Sequence, residues 1–167
     1  MSERKLEGLE PQSVFHYFEE ICAIPHGSRN TKAISDYLVA FAKAHNLTYR
    51  QDESNNVVIF APGTCGLEDH APVILQGHMD MVCEKDASCT LDMAVDGLDV
   101  THDDQFVFAR GTTLGGDDGI AVAYALAILA DNTIAHPPLE VIITVDEEIG
   151  MLGAAAMDLS DLKGRVM

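Results

Sequence analysis

Gly115-Gly116-Asp117-Asp118-Gly119 leads directly into Ile120-Ala121-Val122-Ala123-Tyr124-Ala125-Leu126-Ala127-Ile128-Leu129-Ala130, and Pro137-Pro138 then precedes Leu139-Glu140-Val141-Ile142-Ile143-Thr144-Val145. The paired glycines break the chain before a helix expected over about residues 118–130, and the paired prolines bar helix before a strand expected over 139–145. Because the helix is apolar on nearly every side, it reads as a buried helix packed on a sheet. Upstream, residues 72–76 form a short apolar run typical of a strand buried on both faces, and 139–145 reads as a second strand of that kind. Strands alternating with helices predict an α/β fold, with a partly parallel mixed sheet flanked by helices.

Working outward, Val14, Phe15, Phe18, Ile21 and Cys22 recur at helical spacing between Pro11 and the Pro25–Gly27 stop. A second helix, capped by Asn30 or Thr31, carries Ile34, Tyr37, Leu38, Phe41 and Ala42 on one stripe and stops at Asn46. Residues 47–51 and 56–60, separated by a polar turn, predict an antiparallel pair. Residues 84–105 are acidic without a clean period, which predicts a loop with a hairpin about Asp96-Gly97, and 106–109 reads as a short strand. No internal repeat or linker divides the chain.

The chain has 167 residues, 47% of them apolar and 22% charged, a composition that fits one globular domain and excludes a disordered or collagenous chain. Its formal charge is −17, and residues 86–162 hold fifteen acids against one base, Arg110. Such a field repels phosphate backbones and anionic lipid, so neither nucleic acid nor a membrane surface is an expected partner. The longest apolar run, eleven residues, is far short of the ~20 that cross a bilayer. Met1-Ser2-Glu3-Arg4-Lys5-Leu6-Glu7 has no apolar leader, which makes the cytoplasm the expected compartment. Cys22, Cys65, Cys83 and Cys89 stand singly and read as reduced thiols.

Three clusters carry chemistry. In His78-Met79-Asp80, residues i and i+2 share a face of an extended chain, so imidazole and carboxylate point into one space. A metal-bound histidine needs such an acceptor on its second ring nitrogen, although a buried, hydrogen-bonded histidine would look the same. In Gly115-Gly116-Asp117-Asp118-Gly119 the acids sit at a helix start, where one of them can serve as an N-cap. No Lys-Ser or Lys-Thr follows, so a phosphate-binding loop is not supported. Asp146-Glu147-Glu148 crowds three like charges at the end of an apolar strand, and a cation would relieve their repulsion. All three lie at the rim where open α/β sheets bind ligands. One histidine with several carboxylates suits zinc or manganese, and the chemistry that follows is metal-dependent hydrolysis with one glutamate binding metal and its neighbour free as general base. A calcium loop within residues 84–104 fails the alternating acidic pattern. His26, His45, His70, His102 and His136 lack a partner pattern and read mostly as surface or turn residues.

The segments Leu75-Gln76-Gly77-His78-Met79-Asp80-Met81-Val82, Arg110-Gly111-Thr112-Thr113-Leu114-Gly115-Gly116-Asp117-Asp118-Gly119 and Thr144-Val145-Asp146-Glu147-Glu148-Ile149-Gly150 resemble the aminoacyl-histidine dipeptidases. These cytosol non-specific dipeptidases are a branch of the co-catalytic zinc peptidases, the family that includes aminoacylase and carnosinase. The resemblance runs from Pro11 onward. It implies that His78, Asp117 and Glu148 bind metal, with Asp117 bridging two zinc ions, that Glu147 is the general base, and that Asp80 orients His78. Asp118 stands where such enzymes often have asparagine. Manganese or cobalt could replace zinc. The resemblance further implies a dipeptide substrate, Xaa-His among them, and a homodimer in the full-length family. Family members are much longer, so residues 1–167 are expected to be the N-terminal part of a metallopeptidase catalytic domain, incomplete at the C-terminus and without the lid and dimerisation domain. A non-catalytic chain with an incomplete metal site is the alternative, and an unpaired sheet edge would then invite self-association.

Overall fold

The computed structural model describes residues 4–167; the first three residues of the charged N-terminal stretch lie outside the described residues. The elements run α1 (Gln12–Cys22), α2 (Lys32–Ala44), β1 (Thr48–Gln51), β2 (Val57–Ala61), β3 (Val73–His78), β4 (Val100–His102), β5 (Val107–Ala109), α3 (Gly116–Ala130), β6 (Leu139–Thr144) and α4 (Leu152–Ala156). Four strands form one sheet in the order β1-β2-β6-β3, and β4 with β5 makes a separate two-stranded ribbon. The β1–β2 and β2–β6 pairs are antiparallel, whereas β3 and β6 run parallel in the register Val73↔Leu139 to His78↔Thr144. The sheet is therefore mixed and partly parallel. Among the described residues no helix is long and apolar enough to cross a membrane.

One face of the sheet carries the helix layer. Val57 and Ile59 of β2 and Val141 and Ile143 of β6 alternate onto that face and join Leu38 of α2 and Leu126 of α3 in one buried cluster. Fully burying a side chain such as Leu126 stabilises the fold by roughly 1.5–3 kcal/mol. α3 lies between α1 and β3, which explains why it is apolar nearly all round. The approach to β3 is close. A Cβ at Gly77 would fall 2.8 Å from Asp118 Oδ2, so any larger residue there would have to displace the Asp118 carboxylate.

Several expectations are corrected. β3 is not buried on both faces: Val73, Ile74 and Leu75 are half-buried and Gln76 is exposed, because β3 borders the four-stranded sheet and its second face opens into a cavity of about 460 Å³. Its outer edge is not wholly unpaired, since Ile74 N–H donates to the Val166 carbonyl at 2.8 Å. β6 is not wholly apolar either. Glu140 is 4% exposed, and its carboxylate accepts the Lys163 and Gly164 backbone N–H groups at 2.9 and 3.0 Å. The ribbon turns at Asp103, whose carboxylate accepts the Gln105 and Phe106 N–H groups, and not at Asp96-Gly97. Gly97 instead packs against the Ala23 backbone, beside the hydrogen bond from Leu98 N–H to the Cys22 carbonyl. His26 and His136 are buried, each with Nδ1 against a backbone carbonyl, of Ile24 and Pro137 respectively.

Candidate metal centre

Parallel pairing of β3 with β6 brings the C-terminal ends of both strands to one rim. β3 ends in His78 and the following loop carries Asp80; β6 is followed by Glu147 and Glu148. Asp117 arrives from the third direction, on an irregular first turn of α3 in which Asp117 (φ −88, ψ 109) and Asp118 (φ −116, ψ 26) depart from helical geometry. Gly115 has φ +71, and a Cβ there would stand 2.8 Å from Met81 Sδ. Glycine thus lets the chain pass close against the loop after β3 before it delivers Asp117.

His78 Nε2 lies 3.1 Å from Asp117 Oδ1 and 3.8 Å from Glu147 Oε2. On the other side of the ring, Nδ1 is 3.0 Å from the Asp80 carbonyl oxygen, to which it donates, and 3.5 Å from Asp80 Oδ1. One ligand atom each from His78, Asp117 and Glu148 lies within 4.8 Å of the other two. The structure therefore brings together all five residues singled out in the sequence, His78, Asp80, Asp117, Glu147 and Glu148. Asp118 turns instead toward the backbone of β3, beside Gly77.

Asp80 is 1% exposed and fully engaged. Its Oδ1 accepts the Glu147 N–H at 3.0 Å, and its Oδ2 accepts the Ser28 hydroxyl at 2.7 Å and the Glu148 N–H at 3.4 Å. Burial works against the carboxylate, but His78, Ser28 and the Glu147 N–H outweigh it and hold the Asp80 pKa down at about 2. Burial likewise works against a charged His78, yet the Asp80 and Asp117 carboxylates lift its pKa to about 9. Burial raises the Glu148 pKa; the charge of His78 opposes this, and the nearby Asp117, Glu147 and Asp80 add to it. Burial also raises that of Asp118.

These groups fit a divalent cation. An imidazole whose far nitrogen is anchored presents Nε2 to the site, two carboxylates stand within reach of the same point, and the crowded negative charge favours a positive partner. Ser28, 52 residues from Asp80, and the link from Arg29 N–H to Asp146 Oδ1 at 2.6 Å join the site without a signal in the sequence. Neither belongs to a local pattern, and only the chain's return across the rim reveals them.

A sequence model of the family described as Peptidase family M20/M25/M40 matches residues 74–163, which include all five of these positions. The Escherichia coli protein named cytosol non-specific dipeptidase is 41% identical over 163 residues, covering 98% of this chain and 34% of its own length. A crystal structure of aminoacylhistidine dipeptidase from Vibrio alginolyticus superposes with a TM-score of 0.91 at 40% identity, over 95% of this chain and 32% of that one. A Staphylococcus aureus tripeptidase structure shares the fold, with a TM-score of 0.75 at 24% identity over 93% of this chain and 42% of that one. The chain thus spans about a third of the length of the dipeptidase relatives.

Proposed function

The chain belongs to peptidase family M20/M25/M40, and from that premise we propose that it is the N-terminal, metal-holding part of a cytoplasmic dipeptidase catalytic domain that hydrolyses dipeptides, Xaa-His among them. The observation that carries this reading is the meeting of His78, Asp117 and Glu148 ligand atoms within 4.8 Å. The names of the Escherichia coli and Vibrio relatives support the substrate class. The ion is zinc, with manganese or cobalt as substitutes, and two ions serve the full-length enzyme, which works as a homodimer.

A divalent cation held by these residues supplies Lewis-acid polarisation of the scissile carbonyl and lowers the pKa of water to about 7. The chain's own side chains do the rest. His78 offers Nε2 to the cation because Nδ1 is committed to Asp80. Asp117, set at the start of α3, lies beside His78 and in the same ligand group as Glu148, and would hold the cation together with them. Glu147 holds its carboxylate near Nε2 while Asp80 fixes its backbone, so it is the group placed to take a proton from water and pass it to the leaving amine. Proton transfer of this kind contributes typically 10²–10⁴-fold in rate.

Zinc titration of the purified chain, with hydrolysis of Xaa-His dipeptides followed in parallel, tests the proposal. Zinc uptake is expected, and Glu147→Gln should retain it while turnover falls by about 10²–10⁴-fold. Unchanged turnover in that variant removes the base role. Less than one zinc per chain with no turnover overturns the reading in favour of a non-catalytic chain.

A further inference from the structure

Between α1 and α2 the chain crosses the rim as Pro25-His26-Gly27-Ser28-Arg29 and touches both loops that carry the site. Gly27 bridges to Met81 in parallel fashion, Met81 N–H donates to the His26 carbonyl at 3.1 Å, and Ser28 N–H donates to the Met81 carbonyl at 3.3 Å. One residue on, Arg29 N–H reaches Asp146 Oδ1 at 2.6 Å. The segment is thus stitched to the loop after β3 and to the turn after β6. Its side-chain contribution to the site is the 2.7 Å hydrogen bond from the Ser28 hydroxyl to Asp80 Oδ2.

That bond has leverage because Asp80 serves several groups at once. Oδ1 lies 3.5 Å from His78 Nδ1, whose proton goes to the Asp80 carbonyl oxygen, and receives the Glu147 N–H, so the orientation of this carboxylate sets the glutamate turn and the negative charge beside the imidazole. A terminal carboxylate torsion has only a broad intrinsic preference, and its angle is fixed by what the oxygens bind. The Ser28 contact is the shortest of these bonds, and a charged acceptor makes it roughly twice as strong as a neutral one. Without it, the bond left to Oδ2 among the described residues is the long 3.4 Å one from Glu148 N–H.

We propose that Ser28 is a positioning residue that, by anchoring Asp80 Oδ2, fixes the carboxylate beside His78 and aims the Glu147–Glu148 turn, and thereby sets the affinity of the site for a divalent cation. This rests on the reading that His78, Asp117 and Glu148 hold such a cation. Ser28 is not among the residues whose ligand atoms converge at the site, and it acts through Asp80.

The test is zinc affinity, measured by competition with a chromophoric chelator, on the unaltered chain, Ser28→Ala and Ser28→Thr, with thermal unfolding of the metal-free forms alongside and His78→Ala as the control that loses uptake. Ser28→Ala should bind zinc about tenfold more weakly, the low end of what removal of an outer hydrogen-bond partner costs. Ser28→Thr keeps the hydroxyl and should restore affinity, a rescue that a merely structural role does not predict. The cobalt form should show altered visible absorption bands in Ser28→Ala and recovered bands in Ser28→Thr. Equal zinc affinity in the unaltered chain and in Ser28→Ala overturns the role of Ser28 and leaves the metal site standing. No zinc uptake by the unaltered chain overturns the metal site and this inference with it. If Ser28→Ala does not fold, Ser28→Cys, of similar volume with a weaker donor, takes its place, and unchanged affinity there overturns the inference.

Discussion

The two halves of the candidate metal centre are built differently. His78 and Asp80 have side chains 8% and 0% exposed, whereas the Asp117 side chain is 86% exposed, and its hydrogen bond among the described residues is the one to His78. The first half is finished when the chain folds. Every oxygen of the Asp80 carboxylate has a donor, and the imidazole is held by its far nitrogen. The second half has its backbone placed by the glycine turn and its carboxylate left in water. Folding thus sets the direction from which a cation would be approached, and a cation bound there would have to draw in the remaining ligand. Keeping one half wet avoids burying several like charges without a counter-ion, which would cost several kcal/mol per ion.

Replacing a residue in each half separates the two. Asp80→Ala should have the largest effect, lowering the stability of the metal-free protein by about 3–5 kcal/mol in urea denaturation, because it strips a buried charged group of its partner. A loss below about 1 kcal/mol would mean that the protected half is not built as described. Saturating zinc, at a hundredfold above its Kd, should add about 2.7 kcal/mol to the stability of the folded chain, and a chelator should remove the gain. Asp117→Asn should abolish most of that gain while leaving metal-free stability within about 0.5 kcal/mol, since the side chain is solvated. If Asp117→Asn destabilised the metal-free chain as much as Asp80→Ala, the contrast between the halves would fail. The smallest effect concerns the segment that leads to Asp117. Cys22 Sγ sits 4.0 Å from the Leu114 carbonyl oxygen, beneath that segment, and burial pushes its pKa up to about 12. The thiolate is the reactive form, so Cys22 should resist a thiol reagent at neutral and mildly alkaline pH while the exposed Cys65 reacts. Rapid labelling of Cys22 would show that the backbone around Asp117 opens as readily as its side chain is exposed.

The parts of this architecture that were legible in the sequence are those with a short repeat. Apolar periodicity marked α1 and α2, an unbroken apolar run marked α3, and paired glycines and prolines marked where α3 and β6 begin. The pairing of His78 with Asp80 followed from a spacing of two. What escaped was set by partners far along the chain. Ser28 reaches Asp80 across 52 residues and Arg29 reaches Asp146 across 117, and no local pattern records either. The ribbon turn was misplaced because Asp96-Gly97 has the composition of a hairpin turn, while tertiary contact with Ala23 claims Gly97 for packing. β3 appeared buried on both sides because a run of apolar residues does not reveal that only one face is covered.

Glu140, inside β6, has a further effect on how the chain is routed. By taking the backbone amides of Lys163 and Gly164, a single carboxylate under the sheet hauls the polypeptide back after α4 and sets it alongside β3, where Val166 meets Ile74. The acid works as a mooring: neutralise it, and the segment that shields the outer border of β3 would drift off, leaving a bare row of amides open to any passing strand.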